Sequence, residues 1–191
     1  MNHVLHCVFF LIVRRPPRST LFPYTTLFRS KRSITLDLTR PEGQDLARRL
    51  IAKCDILVEN FKTGGLSKYG LSYDQLKGAN PALVYCSITG FGQTGPYAER
   101  PGYDVLIQAM SGLMSITGEP DGEPQKSGVP VSDLMSGMYA AVGICAALRH
   151  REVTGQGQHL DIGMLDASVA TLSTPGANYS LSGVPPPRYD H

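Results

Sequence analysis

The spacing of hydrophobic and polar residues predicts short strands separated by helices. Residues 33–38, SITLDL, alternate apolar and polar side chains, which is the period of a half-buried strand. Two short apolar runs, DILVEN at 55–60 and ALVYCSITGF at 82–91, are typical of buried strands. The first half of the chain therefore carries three predicted strands.

Helices are predicted between these strands. Thr39 and Glu42 have the spacing of a capping box, and apolar residues follow at helical intervals up to Cys54. Ser72 and Gln75 form a second box, which opens a short helix that ends near Asn80. Strands and helices that alternate at this spacing indicate an α/β fold with a parallel sheet.

The second half continues with helices and one more strand. A helix is predicted over 103–115, and a polar turn follows at 117–128. The nearly uncharged run 133–148 leaves little polar face, which predicts a buried helix. HLDIGML at 159–165 is a further strand candidate, and a last helix is expected to begin near Asp166.

Residues 1–30 differ in character from the rest. Their apolar run, 4–13, is shorter than the roughly 20 residues that cross a bilayer, and arginines and prolines follow it, unlike in a signal peptide. A transit peptide is an alternative, although Pro16 and Pro17 would break its helix. The string 11–30 resembles translated sequencing-adapter DNA. We expect residues 1–30 to be a non-native or unstructured leader and residues 31–191 to be part of one domain.

Charge and cysteine usage exclude several classes of function. The formal charge is +2, but residues 1–30 hold four arginines and no acid, which leaves 14 basic against 16 acidic residues beyond them. Such a near-neutral body predicts no nucleic-acid partner, and no membrane span is predicted either. The four cysteines are scattered, which indicates reduced core thiols in a cytoplasmic or mitochondrial protein. No metal-ligand spacing occurs, so no metal site is predicted.

Asp133, at the entrance to the long apolar run, has two interpretations. Ser132 or Asp133 can be an N-cap, which stabilises a helix by about 0.5–2 kcal/mol. Alternatively, the helix dipole and free N–H groups favour an ionised carboxylate that attacks an activated carbonyl, and the same N–H groups can stabilise an oxyanion. The residues by themselves leave both possibilities open.

Two loops that follow predicted strands can bind a ligand. SITGFGQTGPY, at 87–97, lies where open α/β sheets bind ligands, but it lacks a phosphate-binding pattern and can equally be a tight turn. Lys68, in VENFKTGGLSKYGL, can meet a phosphate or be an ordinary surface charge. The histidines have no triad or metal-ligand spacing.

The ordered set of segments in residues 31–190 resembles the family III CoA-transferases, which include the α-methylacyl-CoA racemases. The segments that carry the resemblance are SITLDL, DILVENFKTGGLSKYGL, NPALVYCSITGFGQTGPY, PGYD, SGLMSITG, SDLMSGMYAA and REVTGQGQHLDIGMLDA. The resemblance implies a Rossmann-like large domain, here incomplete at both ends, with a small domain missing. It also implies a homodimer of two interlocked subunits.

The resemblance further implies the chemistry and its residues. CoA would pass from an acyl-CoA donor to a carboxylic acid acceptor through a covalent intermediate on Asp133. The CoA thioester would be a substrate, and no permanently bound cofactor is expected. The residues implied for the CoA site and its surroundings are Leu36, Arg40, Asn60, Phe61, Lys68, Tyr103 and Asp104.

Position 103 bears on the choice between transfer and racemisation. Racemases of the family carry a histidine base there, whereas this chain carries Tyr103. A tyrosine side chain, with an unperturbed pKa of about 10, is in general a poor base near neutrality. Transfer is therefore expected, with dicarboxylic acids such as succinate or glutarate as candidate acceptors. The alternatives are a racemase-type isomerase or an inactive CoA-binding fragment, and the 191-residue chain by itself is expected to be inactive.

Overall fold

The computed structural model describes residues 34–188. The helices are α1 (Pro41–Ile51), α2 (Tyr73–Leu76), α3 (Asp104–Met110), α4 (Val131–Thr154), α5 (Met164–Thr171) and α6 (Ser173–Ser182). The strands are β1 (Ile56–Glu59), β2 (Val84–Thr89) and β3 (His159–Gly163). Short 3₁₀ turns lie at Ser67–Tyr69 and Met114–Ile116.

The three strands form a parallel sheet in the order β1-β2-β3. Helices lie in the connections between successive strands, as parallel pairing requires. Strand β2 has five buried residues out of six, which agrees with the apolar run that predicted it. The predicted α/β class is confirmed.

The predicted strand at 33–38 is wrong for the residues that the structure describes. Residues 34–37 have no regular secondary structure, and Leu38 lies in a turn. The alternation is still visible in burial, since Leu36 is 4% and Leu38 1% exposed while the residues beside them are exposed. A strand also needs a neighbour for its backbone hydrogen bonds, and no described strand pairs with this segment.

One of the two predicted capping boxes forms. Oε1 of Gln75 accepts hydrogen bonds from the N–H and Oγ of Ser72 at 3.0 and 2.8 Å, and the box is present at the start of α2. The helix ends at Leu76, earlier than expected. The Thr39 box is wrong, because Arg40 is the N-cap and Thr39 Oγ1 instead donates to Asp37 at 2.6 Å.

The described residues divide into two compact units. The first comprises 34–59, Gly64–Cys86 and Ala146–His159. Its core contains Leu57, Leu71 and Leu83, and Tyr85 Oη donates to the carbonyl of Leu71 at 3.1 Å. Burial, with a smaller contribution from the charge of Glu59, raises the pKa of the Tyr85 hydroxyl far above its ordinary range.

The second unit comprises Asn60–Thr63, Ser87–Cys145 and 160–188. In it α3 packs against α5. The predicted helix over 103–115 is shorter than expected, because Gly112 has a φ of +90°, which a helix does not continue. Arg188 fixes the polar turn by donating to the carbonyls of Ser115, Glu119, Pro120 and Gly122.

Helix α4 confirms the predicted helix but not its burial. One stripe is buried, at Ser132, Ser136, Ala140 and Ala147. Elsewhere large apolar side chains face solvent, and Met138 and Val142 are 61% and 69% exposed. The expectation of all-round burial is wrong because no described segment covers that face. By length and composition α4 would also pass as a membrane span, which is weak evidence because helices of soluble proteins pass the same test.

The three cysteines in the described part of the chain are free thiols. Cys86 is buried in β2, and Cys54 is half-buried. Cys145 is exposed on α4, so the prediction of a core thiol is wrong there. Its exposure has the same cause as that of the apolar side chains on this helix.

Candidate functional site

A cleft of about 360 Å³ in the second unit contains five of the residues predicted for the site. These are Asn60, Phe61, Tyr103, Asp104 and Asp133. They come from three separate stretches of the chain, so their meeting is a property of the fold. Further lining residues are Lys62, Thr63, Ile88, Thr89, Gly90, Ala98, Arg100, Pro101, Gly102 and Met164.

The cleft lies beyond the carboxyl ends of the strands. Asn60 follows the last residue of β1, Thr89 is the last residue of β2, and Met164 follows β3 directly. Ligands of open α/β sheets bind at this edge, because successive crossover loops converge there. The sequence left the loop after β2 as either a tight turn or part of a ligand site, and its Gly90 does line the cleft.

Two glycines allow the PGYD segment to lie close to the end of β2. A Cβ atom on Gly90 would lie 2.5 Å from Cα of Gly102, and one on Gly102 would lie 2.3 Å from Cα of Gly90. Both distances are shorter than real Cβ contacts, so neither position accepts a side chain without backbone movement. This close approach brings Tyr103 and Asp104 to the cleft.

The glycine-rich loop after β2 is held by side chains on both sides. The N–H of Gln93 donates to Oδ2 of Asp161 at 2.8 Å, and Thr63 Oγ1 donates to the carbonyl of Gly92 at 3.3 Å. Gly92 has a φ of +81°, a conformation that favours glycine. The loop is therefore fixed to β3 and to the segment that follows β1.

Asp133 is not the N-cap of α4. The helix begins at Val131, so Asp133 lies in its first turn. Oδ1 of Asp104 accepts the N–H groups of Ser132 at 2.9 Å and of Asp133 at 3.3 Å. Asp104 thus caps the helix from another segment, and these two N–H groups are not free for an oxyanion, contrary to one predicted use of them.

The surroundings of Asp133 favour its protonated form. Partial burial, and then the negative charge of Asp104, raise the pKa of the Asp133 carboxyl above its ordinary value. The side chain is nevertheless accessible from solvent. A carboxylate with increased proton affinity is also a better nucleophile, so the site can present a reactive carboxylate to a carbonyl carbon.

The remaining predicted residues, Leu36, Arg40 and Lys68, belong to the first unit. Leu36 is buried, and Arg40 pairs with Asp37 at 3.5 Å on an exposed surface. The ammonium of Lys68 lies 4.8 Å from the ring centre of Tyr69. Their contact with CoA stays a prediction.

Comparison with known proteins decides the family. The family model described as CoA-transferase family III matches residues 13–191. The chain belongs to the family III CoA-transferases. The match extends over both described units, and the predicted family is confirmed.

Individual relatives also support membership of this family. The chain is 54% identical over 165 residues to the succinate–glutarate CoA-transferase of Agrobacterium fabrum, covering 86% of this chain and 41% of that protein. It is 44% identical over 158 residues to the succinyl-CoA:glutarate CoA-transferase of Homo sapiens, covering 83% and 36%. The chain thus spans about two fifths of the length of these curated relatives.

Solved structures agree with the fold. A CAIB/BAIF family protein from Brucella suis superimposes with a TM-score of 0.81 at 54% identity, covering 83% of this chain and 42% of that one. A hypothetical protein from Mycobacterium tuberculosis gives a TM-score of 0.74 at 33% identity, covering 82% and 45%. The Rossmann-like large-domain fold expected for a family III CoA-transferase is confirmed for the part present.

Several residues that line this cleft are not predicted by the sequence. Lys62 and Arg100 line the cleft, and each lies beside a segment that carries the resemblance, NF at 60–61 and PGYD at 101–104. Thr89 is 8% exposed, and its Oγ1 has no hydrogen-bond partner among the described residues. Lys62 and Arg100 could have been found from the sequence because they are adjacent to the predicted segments. Thr89 carries no such signal in the sequence.

Proposed function

We propose that the protein transfers coenzyme A from an acyl-CoA to a carboxylic acid, with Asp133 as the nucleophile. The observation that carries this is the position of its carboxylate, accessible in the cleft and beside the charge of Asp104. Membership of the family III CoA-transferases supports the reaction class. The CoA thioester is a substrate in this proposal, and no resident cofactor is invoked.

The reaction can be written with Asp133 regenerated and no net proton change. A carboxylate oxygen of Asp133 attacks the thioester carbonyl, the C–S bond breaks, and a mixed anhydride and CoA thiolate form. The thiolate attacks the aspartyl carbonyl and releases the donor acid as a carboxylate. The acceptor carboxylate then attacks the aspartyl-CoA thioester, and the returning thiolate takes the acceptor acyl group and frees Asp133.

Covalent catalysis suits this exchange because a carboxylate does not attack a thioester readily in water. Splitting one transfer into successive acyl transfers replaces a difficult step by easier ones. Partial burial, and then the charge of Asp104, destabilise the ionised Asp133 and do not oppose its neutral acylated form. Both effects therefore favour acylation.

We propose dicarboxylic acids as the acid substrates. Two of the relatives named above are CoA-transferases of succinate and glutarate. In addition, the cations Lys62 and Arg100 line the cleft with Asp133, and a second carboxylate would find an opposite charge there. The guanidinium carbon of Arg100 lies 4.3 Å from the ring centre of Tyr97.

We also propose the residues that bind CoA, the assembly of the intact protein and its location. Leu36, Arg40, Asn60, Phe61 and Lys68 are proposed to contact CoA. A homodimer of interlocked subunits is proposed for the intact protein, and the exposed apolar face of α4 supports a covering partner. The proposed location is the cytoplasm, or the mitochondrion in a eukaryote.

The decisive experiment captures the intermediate on the full-length gene product that contains this chain. The enzyme is incubated with succinyl-CoA, quenched and digested, and the peptide that contains Asp133 is weighed. We expect a mass increase that wild type shows and Asp133→Asn lacks, together with loss of CoA exchange in Asp133→Asn and Asp133→Ala. Product formation without any modified peptide would contradict the covalent route.

The racemase alternative receives no support from the cleft. No histidine of the described residues lines it, and Tyr103 is 70% exposed at the position where racemases carry their base. Solvent deuterium at the α-carbon of a 2-methylacyl-CoA would be the sign of racemisation, and we expect none. CoA-dependent thermal stabilisation without transfer to any acid would instead identify a CoA-binding protein.

A further inference from the structure

A buried glutamine connects Asp104 with the segment that leads into α4. The side chain of Gln108, on α3, is 0% exposed. Its Nε2 donates to Oδ2 of Asp104 at 2.6 Å and reaches the carbonyl of Val129 at 3.4 Å. Its Oε1 accepts the N–H of Ser127 at 2.8 Å. Both ends of the amide are therefore in use.

Packing does not explain a glutamine at this position. Burying an amide is costly unless it is fully hydrogen-bonded, whereas an apolar side chain of similar length would fill the same space without that cost. The hydrogen bonds of Gln108 must therefore be the reason for its place in the core. All of them involve residues that surround the first turn of α4.

These hydrogen bonds fix Asp133 from two directions. Gln108 orients one oxygen of the Asp104 carboxylate, so that the other oxygen meets the N–H groups of Ser132 and Asp133. Through Ser127 and Val129 it also fixes the backbone that enters the helix. A single side chain thus sets the cap and the path into the turn that carries the carboxylate.

We propose that Gln108 is a positioning residue, which holds Asp104 and the entry to α4 so that the Asp133 carboxylate stays fixed in the cleft. Gln108 is absent from the cleft lining and so acts through its neighbours. The role in turnover rests on the proposed function. The effect of Gln108 on the backbone at the start of α4 can be tested independently of CoA transfer.

Ionisable groups lie on several sides of this network. Lys62, Arg100, Tyr103 and Asp104 line the cleft with Asp133, and Nζ of Lys126 lies 3.4 Å from the carbonyl oxygen of Ser127. Asp166 lies in the first turn of α5, which packs against α3. Of these groups, Asp104 is the one that bonds to Gln108, so a charge placed at position 108 acts first on Asp104.

The test compares Gln108→Met and Gln108→Glu in the full-length gene product, with Gln156→Met at an exposed position as the control. Methionine keeps the size of the side chain but donates no hydrogen bond. We expect Gln108→Met to lower kcat about 10- to 100-fold, the loss typical of a hydrogen bond to a charged group, with a smaller change in KM for acyl-CoA. The control should keep the wild-type kcat.

Gln108→Glu tests the hydrogen bond to Asp104 through the pH dependence of kcat, which a role of Gln108 in packing alone would not change. The new carboxyl and Asp104 would share a proton at low pH, which restores a donor to Asp104, and would repel each other once both are ionised. We therefore expect its kcat, relative to wild type, to recover as the pH falls from about 8 to about 6. A ratio independent of pH would contradict the proposal.

Amide hydrogen exchange tests the hold on α4 in the absence of substrate. Faster exchange at Ser132 and Asp133 is expected in Gln108→Met and not in Gln156→Met, because the cap loses its support. Unchanged exchange at these amides, or a wild-type kcat in Gln108→Met, would overturn the proposal. If wild type itself transfers no CoA, the proposed function fails, and the exchange rates still decide whether Gln108 fixes this turn.

Discussion

The carboxylate of Asp104 accepts the backbone N–H of Asp133 at 3.3 Å, so one acid caps the helix turn that carries the other. This arrangement stabilises the backbone and destabilises the charge of the second acid at the same time. Asp104 supplies the acceptor that the first turn of α4 needs. Its negative charge also contributes to the raised pKa of Asp133.

Asp133→Asn should stabilise the protein near neutral pH while abolishing CoA transfer. Because the pKa of Asp133 is raised on folding, the folded state binds its proton more tightly than the unfolded state. The resulting stabilisation is present below the ordinary pKa of about 4 and is lost as the pH rises through the folded pKa. Ionisation of Asp133 therefore lowers the free energy of unfolding. The loss stays below about 1 kcal/mol because solvent screens the charge.

Thermal unfolding as a function of pH measures this effect. We expect the melting temperature of Asp133→Asn to exceed that of wild type near pH 7, and the difference to shrink towards the ordinary pKa of about 4. Asp121→Asn, at an exposed position in the polar turn, is the matched control. A melting temperature below that of wild type at neutral pH would mean that Asp133 is stabilising, contrary to the direction of its pKa shift.

Substitutions of Asp104 should separate the cap from the charge. Asp104→Ala removes the acceptor for two N–H groups and should lower the free energy of unfolding by about 0.5–2 kcal/mol. Asp104→Asn keeps an oxygen acceptor but removes the charge, so more of the stability should remain. The pKa of Asp133 should fall in both variants.

Denaturant unfolding measures the stability that the cap contributes. The carboxyl chemical shift of Asp133 during an NMR titration measures the change in its pKa. Equal stability losses in the alanine and asparagine variants would show that the oxygen of residue 104 does not cap α4. An unchanged pKa at Asp133 would show that the two carboxyl groups do not interact across the helix end.

Thr89→Val should leave stability unchanged or increase it while weakening ligand binding. The Oγ1 of Thr89 is buried without a hydrogen-bond partner in the described chain, so its removal relieves an unsatisfied polar group. Because Thr89 lines the cleft, a bound substrate is the expected partner. Loss of one such hydrogen bond should raise KM about 2- to 10-fold.

Thr117→Val is the comparison for this variant. Thr117 Oγ1 already donates to the carbonyl of Leu113 at 2.7 Å, so its removal should cost about 1 kcal/mol of stability. The two substitutions are thus expected to change the melting temperature differently. If Thr89→Val loses as much stability as Thr117→Val, then Thr89 has a structural partner and no ligand need be invoked.

Gly102→Ala should disrupt the cleft. The added Cβ would lie 2.3 Å from Cα of Gly90, and backbone atoms at that distance must move. We expect a loss of about 1–3 kcal/mol in unfolding free energy together with a loss of CoA transfer. Gly78→Ala, in the exposed turn after α2 where an added Cβ meets nothing within 4 Å, should instead stabilise by up to about 1 kcal/mol.

Denaturant melts of both glycine variants provide the measurement. Wild-type stability in Gly102→Ala would mean that the PGYD segment does not depend on close backbone approach to β2. A destabilised Gly78→Ala would show that the loss in Gly102→Ala is not specific to the close approach of the two backbones.

The strands and most helices can be predicted because their patterns are local. The apolar run that forms β2 is buried whatever surrounds it, and Ser72 and Gln75 are close enough along the chain to form their box without help. The segment at 34–38 shows where a local pattern is not sufficient to predict a strand. Its alternation is real, and Leu36 and Leu38 are buried, but a strand also depends on a neighbour that the pattern does not contain.

The candidate site is predictable where motifs of the family carry it. The resemblance points to Asp133, Asp104 and Tyr103, and the cleft brings them together. Gln108 and Thr89 are not predicted. A buried glutamine and a threonine at a strand end look ordinary in sequence, because their importance lies in partners that are distant in the chain or belong to a ligand.

The sequence alone determined the order of most strands and helices, the family and the position of the proposed nucleophile, because periodicity and short motifs are written in neighbouring residues. The tertiary structure decided which group caps α4, which carboxylate shifts the pKa of Asp133, and which face of α4 stays exposed. These depend on distances between residues far apart in the chain, and hydrogen bonds and charges act over a few ångströms of space.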